Sequence, residues 1–253
     1  MNMVSEPFFE VRGSSVIALA CALPFGSFVI CILLSIFLHW DQVTKTHCNV
    51  PNYVPSISAA TGDFSPEKYI WRIGIAYHSL LRMVFPFVNY NFYKYKASSN
   101  IKSKWFPWLN FLNACVTVVE NLALVLLTYV SSSENYSVHE ASFITFQVSA
   151  MVYMLTNCII FRWTLSSPPT HQESVSMRWK VICLLLNYSS FAMAVYFFFR
   201  HNWYCESGVY SLFALCEYVT VLSNIGFHGT VAIDIGGSLL TLSSIARTFI
   251  KNH

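Results

Sequence analysis

The sequence predicts an all-α membrane protein, a single bundle of six transmembrane helices with a cap built from the first and fifth loops. Hydrophobic residues make up 55% of the 253 residues and charged residues only 11%, whereas soluble domains carry about 25% charged residues. Three stretches have no charge and are long enough to cross a bilayer core about 30 Å thick: 13–38, 141–161 and 181–199. Three further apolar stretches contain isolated charges, which brings the expected total to six spans.

The predicted spans are about 14–38, 69–93, 105–130, 141–162, 180–199 and 207–233. Residues 39–68 form the longest loop, and residues 234–253 form a terminal tail. Because the long loop contains three prolines, a cysteine and several polar groups, we expect it to fold as a compact cap. Residues 166–176 include two consecutive prolines and are interpreted as a flexible connector.

Basic residues are distributed unevenly between the two sides of the predicted bundle. Ten of them lie in the N-terminal segment, the second and fourth loops and the tail: Arg12, Lys94, Lys96, Lys102, Lys104, Arg162, Arg178, Lys180, Arg247 and Lys251. The opposite side carries only Lys45, Lys68 and Arg200. The positive-inside rule therefore predicts that both termini face the cytosol and that the first loop faces the lumen or exterior. This asymmetry explains the net charge of +3 without a nucleic-acid partner.

Six of the eight cysteines lie within predicted spans, and the other two, Cys48 and Cys205, lie in loops assigned to the oxidising side. Disulfides persist in oxidising compartments, so we predict a Cys48–Cys205 bridge that joins the first loop to the fifth. The sequence contains neither a CxxC nor an HExxH spacing, so we expect no zinc site.

Several titratable residues lie inside the predicted spans. A carboxylate at the bilayer centre raises the free energy of membrane insertion by about 3 kcal/mol on insertion scales, unless it is paired with another group or in contact with water. With a rise of about 1.5 Å per residue, His78, Glu120 and Glu217 each lie about 14–15 Å from the lumenal end of their helices. Arg82 is one turn deeper than His78 and within reach of either carboxylate. Asn121 follows Glu120 directly.

This constellation has three possible roles. It can be a structural clasp between helices, a lumen-open polar cavity that receives a lipid headgroup or ester, or an ion pathway. The ion pathway is disfavoured because acidic residues do not recur along one helix.

A second polar group lies at the predicted lumenal surface and comprises His47, Glu134, His139, Glu140, Arg200, His201, Asn202 and Glu206. The predicted disulfide would bring His47 and Glu206 close together. A histidine beside a carboxylate can act as a general base on a hydroxyl. Arg72 and Arg200 can bind a lipid phosphate or anchor at the headgroups. The sequence lacks the nucleophile elbow of hydrolases, a phosphate-binding loop and a dinucleotide fingerprint.

Three stretches resemble the post-GPI-attachment-to-proteins factor two family. They are residues 46–53 around Cys48, residues 120–134 beginning at Glu120-Asn121, and residues 200–206 ending in Cys205-Glu206. The resemblance extends from the first helix to about His228. It implies a role in the Golgi, where a saturated acyl chain is returned to the sn-2 position of lyso-GPI. Two possibilities remain open: that family members are the acyltransferase, or that they assist one.

We therefore expect a membrane protein that takes a lyso-GPI lipid or lyso-GPI-anchored protein, with acyl-CoA or a phospholipid as the acyl donor and no cofactor. The candidate general bases are His47, His78 and His201, and Glu120 or Glu217 would orient the base or stabilise charge. The candidate substrate-binding residues are Arg72, Arg82, Asn121, Arg200 and Glu206. The alternatives are a non-catalytic partner that binds or presents lyso-GPI and, less favoured, a small transporter.

Overall fold

The computed structural model describes residues 9–97, 103–235 and 239–242. The elements follow in the order β1 (Phe9–Arg12), α1 (Gly13–Leu38), α2 (Trp40–Val43), α3 (Ile57–Thr61), α4 (Glu67–Arg82), α5 (Phe85–Ala97), α6 (Phe106–Tyr129), α7 (Tyr136–Trp163), α8 (His171–Tyr204), α9 (Val209–Ile235) and β2 (Leu239–Leu242). The two short strands pair antiparallel, with Arg12 opposite Leu239. Apart from this ribbon the regular structure described is helical, which confirms the predicted all-α class.

Five described helices, α1 and α6 to α9, are long and apolar enough to cross a membrane. The chain is therefore a multi-pass membrane protein, as predicted. Large apolar side chains cover its outer face, and Phe37 and Leu185 are 80% and 60% exposed. Such faces suit contact with lipid. Lys102, Arg247 and Lys251, which contributed to the predicted orientation, lie outside the described residues.

The predicted second span, 69–93, is divided in the structure between α4 and α5. Pro86 lies in the first turn of α5 and has no N–H to donate to the carbonyl of Arg82 one turn earlier. Helix α4 therefore ends at Arg82. That the two short helices cross the membrane together remains a prediction.

Helix α8 begins earlier than predicted, at His171 rather than near residue 180. Thr170 and Glu173 form a capping box, in which each side chain accepts a hydrogen bond from the other residue's backbone N–H. Glu173 also pairs with Lys96 of α5 at 2.7 Å. Much of the segment interpreted as a flexible connector is thus the first turn of a capped helix.

Close approaches between helices depend on small and polar residues. A Cβ atom added to Gly74 of α4 would lie 1.9 Å from the Oγ of Ser27 in α1, so these helices meet where only glycine fits. Helices α7 and α8 are joined by a hydrogen bond from Gln147 to Asn187 at 2.9 Å. The hydrogen bond gives each buried amide a partner where water is excluded, and the glycine lets two helix backbones approach closely.

The first and fifth loops form the predicted cap. A Cys48–Cys205 disulfide joins them, with Cα atoms 5.4 Å apart, which confirms the predicted bridge. The N–H of Gly208 donates to the carbonyl of Pro51 at 3.0 Å, and the hydroxyl of Tyr218 donates to the carbonyl of Pro55 at 2.7 Å. The first loop is thereby held along α9. We call this end of the bundle the cap face.

Candidate functional site

Three helices bring a buried ionic cluster together near the middle of the bundle. Arg82 Nη2, at the end of α4, lies 2.6 Å from Glu120 Oε2 in α6. His228 of α9 places its Nε2 atom 3.2 Å from Glu120 Oε1 and 2.6 Å from Arg82 Nη2. Asn224 Nδ2 donates to the same Glu120 oxygen at 2.9 Å. We call these four residues the central cluster.

The central cluster is almost completely buried, since Glu120 is 0% exposed and Arg82 is 1% exposed. The attraction between two such ions offsets the cost of removing them from water only when the remaining donors and acceptors are also paired. Here they are not all paired. Among the described residues, Arg82 Nε and the Tyr153 hydroxyl have no hydrogen-bond partner, although the Tyr153 ring stacks on His228 at 4.7 Å.

The sequence predicted that Arg82 lies within reach of either Glu120 or Glu217, and the structure pairs it with Glu120. Asn224 and His228 were not among the predicted site residues. The structure joins both to Glu120. The depth estimate lacked the helix pairing, and without that pairing the contact between α6 and α9 cannot be predicted.

A narrow cavity extends from the central cluster toward the cap face, with a volume of about 90 Å³ for the centres of water molecules inside about 910 Å³ of empty space that includes its open part. Its walls are largely apolar, with Trp71, Leu124, Phe143 and Phe146 among the lining residues. Polar groups lie on the same walls: Ser58, His78, Arg82, Thr128, His139, Gln147, Glu217, Asn224 and His228. An apolar pocket with a few convergent polar groups is the usual form of a site for an amphipathic molecule.

Three of the predicted site residues, His78, Arg82 and Glu217, line this cavity. His78 Nδ1 lies 2.6 Å from the carbonyl of Ala20 in α1. A carbonyl can only accept, so Nδ1 carries the proton, and in the neutral ring Nε2 keeps its lone pair. One Glu217 oxygen accepts from the N–H of Ile57 at 3.3 Å.

Asn121 is buried beside Glu120 and donates to the carbonyl of Ser79 at 3.0 Å. Its Oδ1 atom is buried without a hydrogen-bond partner among the described residues. Asn121 is not among the residues that line the cavity. As placed, it joins α6 to α4.

A serine and a histidine meet at the cap-side part of the same cavity. Ser58 Oγ lies 2.9 Å from Nε2 of His139, and Nδ1 of His139 lies 2.7 Å from the carbonyl of Val130. His139 belongs to the predicted lumenal polar group but was not a candidate base, and Ser58 was not predicted. They are far apart in the sequence and belong to no spaced motif, so only the folded cap reveals the pair.

The predicted bases His47 and His201 lie in the cap beside the disulfide, and neither lines the cavity. Their rings meet edge to face at 5.2 Å. Both ring nitrogens of His201 are buried without a hydrogen-bond partner among the described residues. His47, His201 and Cys48 bring ligand atoms within 4.8 Å of one another, but the Cys48 sulfur is bonded to Cys205.

The two arginines considered for phosphate binding already have partners. Arg200 donates to both oxygens of Glu206, at 2.8 and 3.1 Å, so Glu206 contacts Arg200 where the sequence suggested His47. Hydrogen bonding from Arg200 lowers the pKa of Glu206. Arg72 donates to the carbonyl of Tyr129 at 3.0 Å and lies 3.5 Å from Glu134. The pKa of Glu134 is lowered first by the N–H of Ser131 and then by the charge of Arg72. A phosphate would have to compete with these carboxylates.

A second buried ion pair, which the sequence did not suggest, lies at the opposite end of the bundle. Lys180 Nζ contacts Asp234 at 2.7 Å and the Thr230 hydroxyl at 2.5 Å, and Ser176 donates to the other Asp234 oxygen. Lys180 was counted as a loop charge because the start of α8 was placed near it. Thr170 and Glu173, a capping-box pair, are the sequence signal that would have corrected this.

The chain matches the family model described as the Frag1/DRAM/Sfk1/Cwh43P N-terminal domain over residues 12–238. It is 38% identical over 240 residues to a Xenopus tropicalis protein named Acyltransferase PGAP2, covering 95% of this chain and 94% of that relative. It is 41% identical over 226 residues to the Caenorhabditis briggsae protein named Post-GPI attachment to proteins factor 2, covering 88% and 85% of the two chains.

The Caenorhabditis elegans protein of the same name is 40% identical over 223 residues, again covering 88% of this chain and 85% of the relative. No solved structure matches the chain. The resemblance seen in the sequence and these full-length similarities agree. The chain belongs to the post-GPI-attachment-to-proteins factor 2 family, within the wider Frag1/DRAM/Sfk1/Cwh43P N-terminal domain group.

Proposed function

We propose that this protein acts in GPI-anchor lipid remodelling and transfers a saturated fatty acyl chain to the sn-2 hydroxyl of lyso-GPI. The observation that carries the proposal is the amphipathic cavity between the central cluster and the cap face. One full-length relative is named an acyltransferase, and others are named post-GPI attachment factors. Those names and this cavity are consistent with a lipid substrate whose reacting ester lies within the bundle.

The cavity offers apolar side chains that an acyl chain can contact and polar groups that a glycerol can contact. Its apolar walls, including Leu124 and Phe146, provide a surface for the chain. Its polar groups, including His78 and Glu217, can accept protons from hydroxyls. In this arrangement Glu120 acts at a distance, by holding Arg82 and His228 at the cavity wall.

The phosphoinositol headgroup would lie outside the cavity at the cap face, near Arg72 and Arg200. Both guanidinium groups are partly exposed, at 20% and 40% of the side chain. A phosphate that displaces Glu134 or Glu206 would form a charge-assisted contact with the freed arginine.

The proposed location is the Golgi membrane, with the cap face in the lumen and both termini in the cytosol. The asymmetry of the basic residues supports this orientation. The disulfide at the cap face supports it independently, because disulfides persist on the oxidising side of a membrane.

The test is a reconstitution. Purified protein in liposomes receives lyso-GPI and a donor with a labelled acyl chain, and the product is separated by chromatography. We expect labelled diacyl-GPI that depends on the protein and is lost with Glu217→Gln. No product with either a phospholipid or an acyl-CoA donor would contradict the proposal.

A second candidate function is a non-catalytic partner that binds and presents lyso-GPI to a separate acyltransferase. It is favoured by the internal partners of two predicted catalytic residues, since His78 binds the Ala20 carbonyl and Glu120 is enclosed. In the same reconstitution this partner would retain lyso-GPI on the protein without turnover. Product would form only after a second protein is added.

A further inference from the structure

We propose that Ser58 is a nucleophile and His139 its general base, and that the protein passes its acyl chain through an ester on Ser58. This inference rests on the proposed function and names the reacting residues. It assigns a ping-pong reaction, in which a donor acylates the protein and lyso-GPI then removes the acyl chain.

The hydrogen bonds around His139 fix the proton where this chemistry needs it. The Val130 carbonyl can only accept, so Nδ1 of His139 carries the proton at 2.7 Å. In the neutral ring Nε2 is then an acceptor, and the Ser58 hydroxyl, 2.9 Å away, donates to it. A nucleophile hydrogen-bonded to a base, with the base oriented by a third group, is the general arrangement of activated serines. Here the backbone of residue 130 takes the orienting role.

The pair is placed where an ester can reach it. Ser58 and His139 both line the cavity, and both are only partly buried. The same cavity is lined by apolar side chains such as Leu127 and Phe143, which can hold the chain attached to the reacting carbonyl.

A second observation points independently to a ligand at this place. Thr128 lines the cavity, is 7% exposed, and its Oγ1 atom is buried without a hydrogen-bond partner among the described residues. A buried hydroxyl without a partner is costly, and most helical threonines avoid that cost by bonding to the backbone. We assign it as a donor to the oxyanion that forms on the attacked carbonyl.

The steps balance without a metal or a redox partner. Ser58 Oγ attacks the carbonyl of an acyl ester or thioester while His139 Nε2 takes the hydroxyl proton. The tetrahedral oxyanion collapses, the bond from carbonyl carbon to the donor's oxygen or sulfur breaks, and that atom leaves with the proton from His139. The sn-2 hydroxyl of lyso-GPI then attacks the Ser58 ester, with its proton passing through His139 back to Ser58. The products are the deacylated donor and diacyl-GPI.

The first experiment tests the nucleophile without requiring turnover. Full-length protein in liposomes is treated with an alkyl fluorophosphonate, which phosphonylates activated serines, and the labelled peptide is mapped by mass spectrometry. We expect the label on Ser58, its loss in Ser58→Ala, and at least a tenfold slower labelling in His139→Gln. Ser211→Ala is the matched control, because Ser211 also joins the cap to the bundle, through Tyr53 and Asn52, but does not line the cavity. It should label at the wild-type rate.

The second experiment uses the labelled-acyl reconstitution, with a phospholipid donor in one arm and acyl-CoA in the other. Omitting lyso-GPI should leave labelled acyl chain on the protein, on a peptide that contains Ser58. Ser58→Ala should lower the transfer rate by at least about a thousandfold and His139→Gln by about a hundredfold or more.

The outcomes separate this inference from the function on which it rests. Transfer by the wild type that persists in Ser58→Ala would overturn the serine mechanism and leave the acyltransferase function intact. A Ser58 label without transfer to lyso-GPI would support the nucleophile and overturn the proposed acceptor. Absence of the label at Ser58 from both the probe and the acyl donor would overturn the inference whatever the transfer result.

Discussion

Two buried ion pairs among the described residues are built differently. At the end opposite the cap, Lys180 contacts Asp234 and Thr230, packs against the rings of Phe161 and Phe227 at 4.9 and 5.5 Å, and is 0% exposed. In the central cluster, Arg82 contacts Glu120 and His228 but leaves its Nε atom without a hydrogen-bond partner among the described residues. Arg82 also lines the cavity, whereas Lys180 does not.

This difference distinguishes an ion pair that only holds helices together from one that lies beside a candidate ligand site. A cluster in which every buried polar atom has a partner holds helices together and gains no hydrogen bond from a further polar group. A cluster that carries unpaired polar atoms beside an apolar cavity has a continuing cost, which a bound polar group can remove. We therefore propose that the Lys180–Asp234 pair contributes to stability and that the central cluster contributes both to stability and to the proposed acyl transfer.

The largest expected effect comes from breaking the central pair on one side. Glu120→Gln leaves the Arg82 guanidinium buried without a counter-charge, and removing one partner of a buried pair costs about 3–5 kcal/mol. We expect a matching loss in the free energy of unfolding, measured by denaturation in detergent, together with loss of acyl transfer. A variant that retained wild-type stability would show that the pair is solvated or unimportant.

The next effect distinguishes the roles of the two pairs. Replacing both partners by apolar residues removes the charge without stranding its partner, and such replacements are often neutral or stabilising. We expect Lys180→Met with Asp234→Leu to keep both stability and acyl transfer. Arg82→Met with Glu120→Leu should keep stability but lose transfer at least about tenfold. Equal transfer rates in the two double variants would contradict the proposed contribution of the central cluster to acyl transfer.

A smaller effect tests the unpaired atoms. Tyr153→Phe removes a hydroxyl that has no partner among the described residues, so we expect unchanged or slightly raised stability. Thr230→Val removes a hydroxyl that accepts from Lys180, and should cost about 1–3 kcal/mol. Parallel denaturation curves measure both. If Tyr153→Phe lost as much stability as Thr230→Val, the Tyr153 hydroxyl beside the central cluster would be as well hydrogen-bonded as the Thr230 hydroxyl beside the Lys180–Asp234 pair.

The smallest expected effect lies in the exposed ion pair of the cap. The pKa of Glu206 is lower in the folded protein than its ordinary value of 4.5 because Arg200 donates hydrogen bonds to the carboxylate. The ion pair with Arg200 therefore adds its full stabilisation above pH 4.5. This stabilisation is lost as the pH falls through the lower pKa that Glu206 has in the folded protein. A thermal scan between pH 7 and pH 3 should show slightly less acid destabilisation in Glu206→Gln. An unchanged acid response in that variant would show that the pair adds no stability.

The sequence predicted those features that depend on composition and compartment. Long apolar stretches predict membrane helices by length alone, and the two loop cysteines on the predicted oxidising side are the pair that forms the disulfide. The prediction that Arg82 reaches a carboxylate followed from helix periodicity on one helix. These inferences needed no knowledge of which helices are neighbours.

The remaining features depend on tertiary contacts. His228 contacts Glu120 only because α6 and α9 are brought together, and Ser58 meets His139 only because the first loop folds back over the cap face. The division of the second span at Pro86 and the early start of α8 at His171 were readable from local signals, a missing N–H and a capping box. For the start of α8, the apolar stretch and the count of basic loop residues outweighed the capping-box signal.

The most direct test of the central claim, that the cavity holds the lipid substrate, is photo-crosslinking. Lyso-GPI with a diazirine in its acyl chain is irradiated with the protein in liposomes, and the modified residues are mapped by mass spectrometry. The account predicts adducts on buried cavity residues such as Leu124 and Phe146, suppressed by excess unlabelled lyso-GPI. Adducts confined to outward-facing residues such as Phe37 and Leu185, unaffected by competitor, would contradict it.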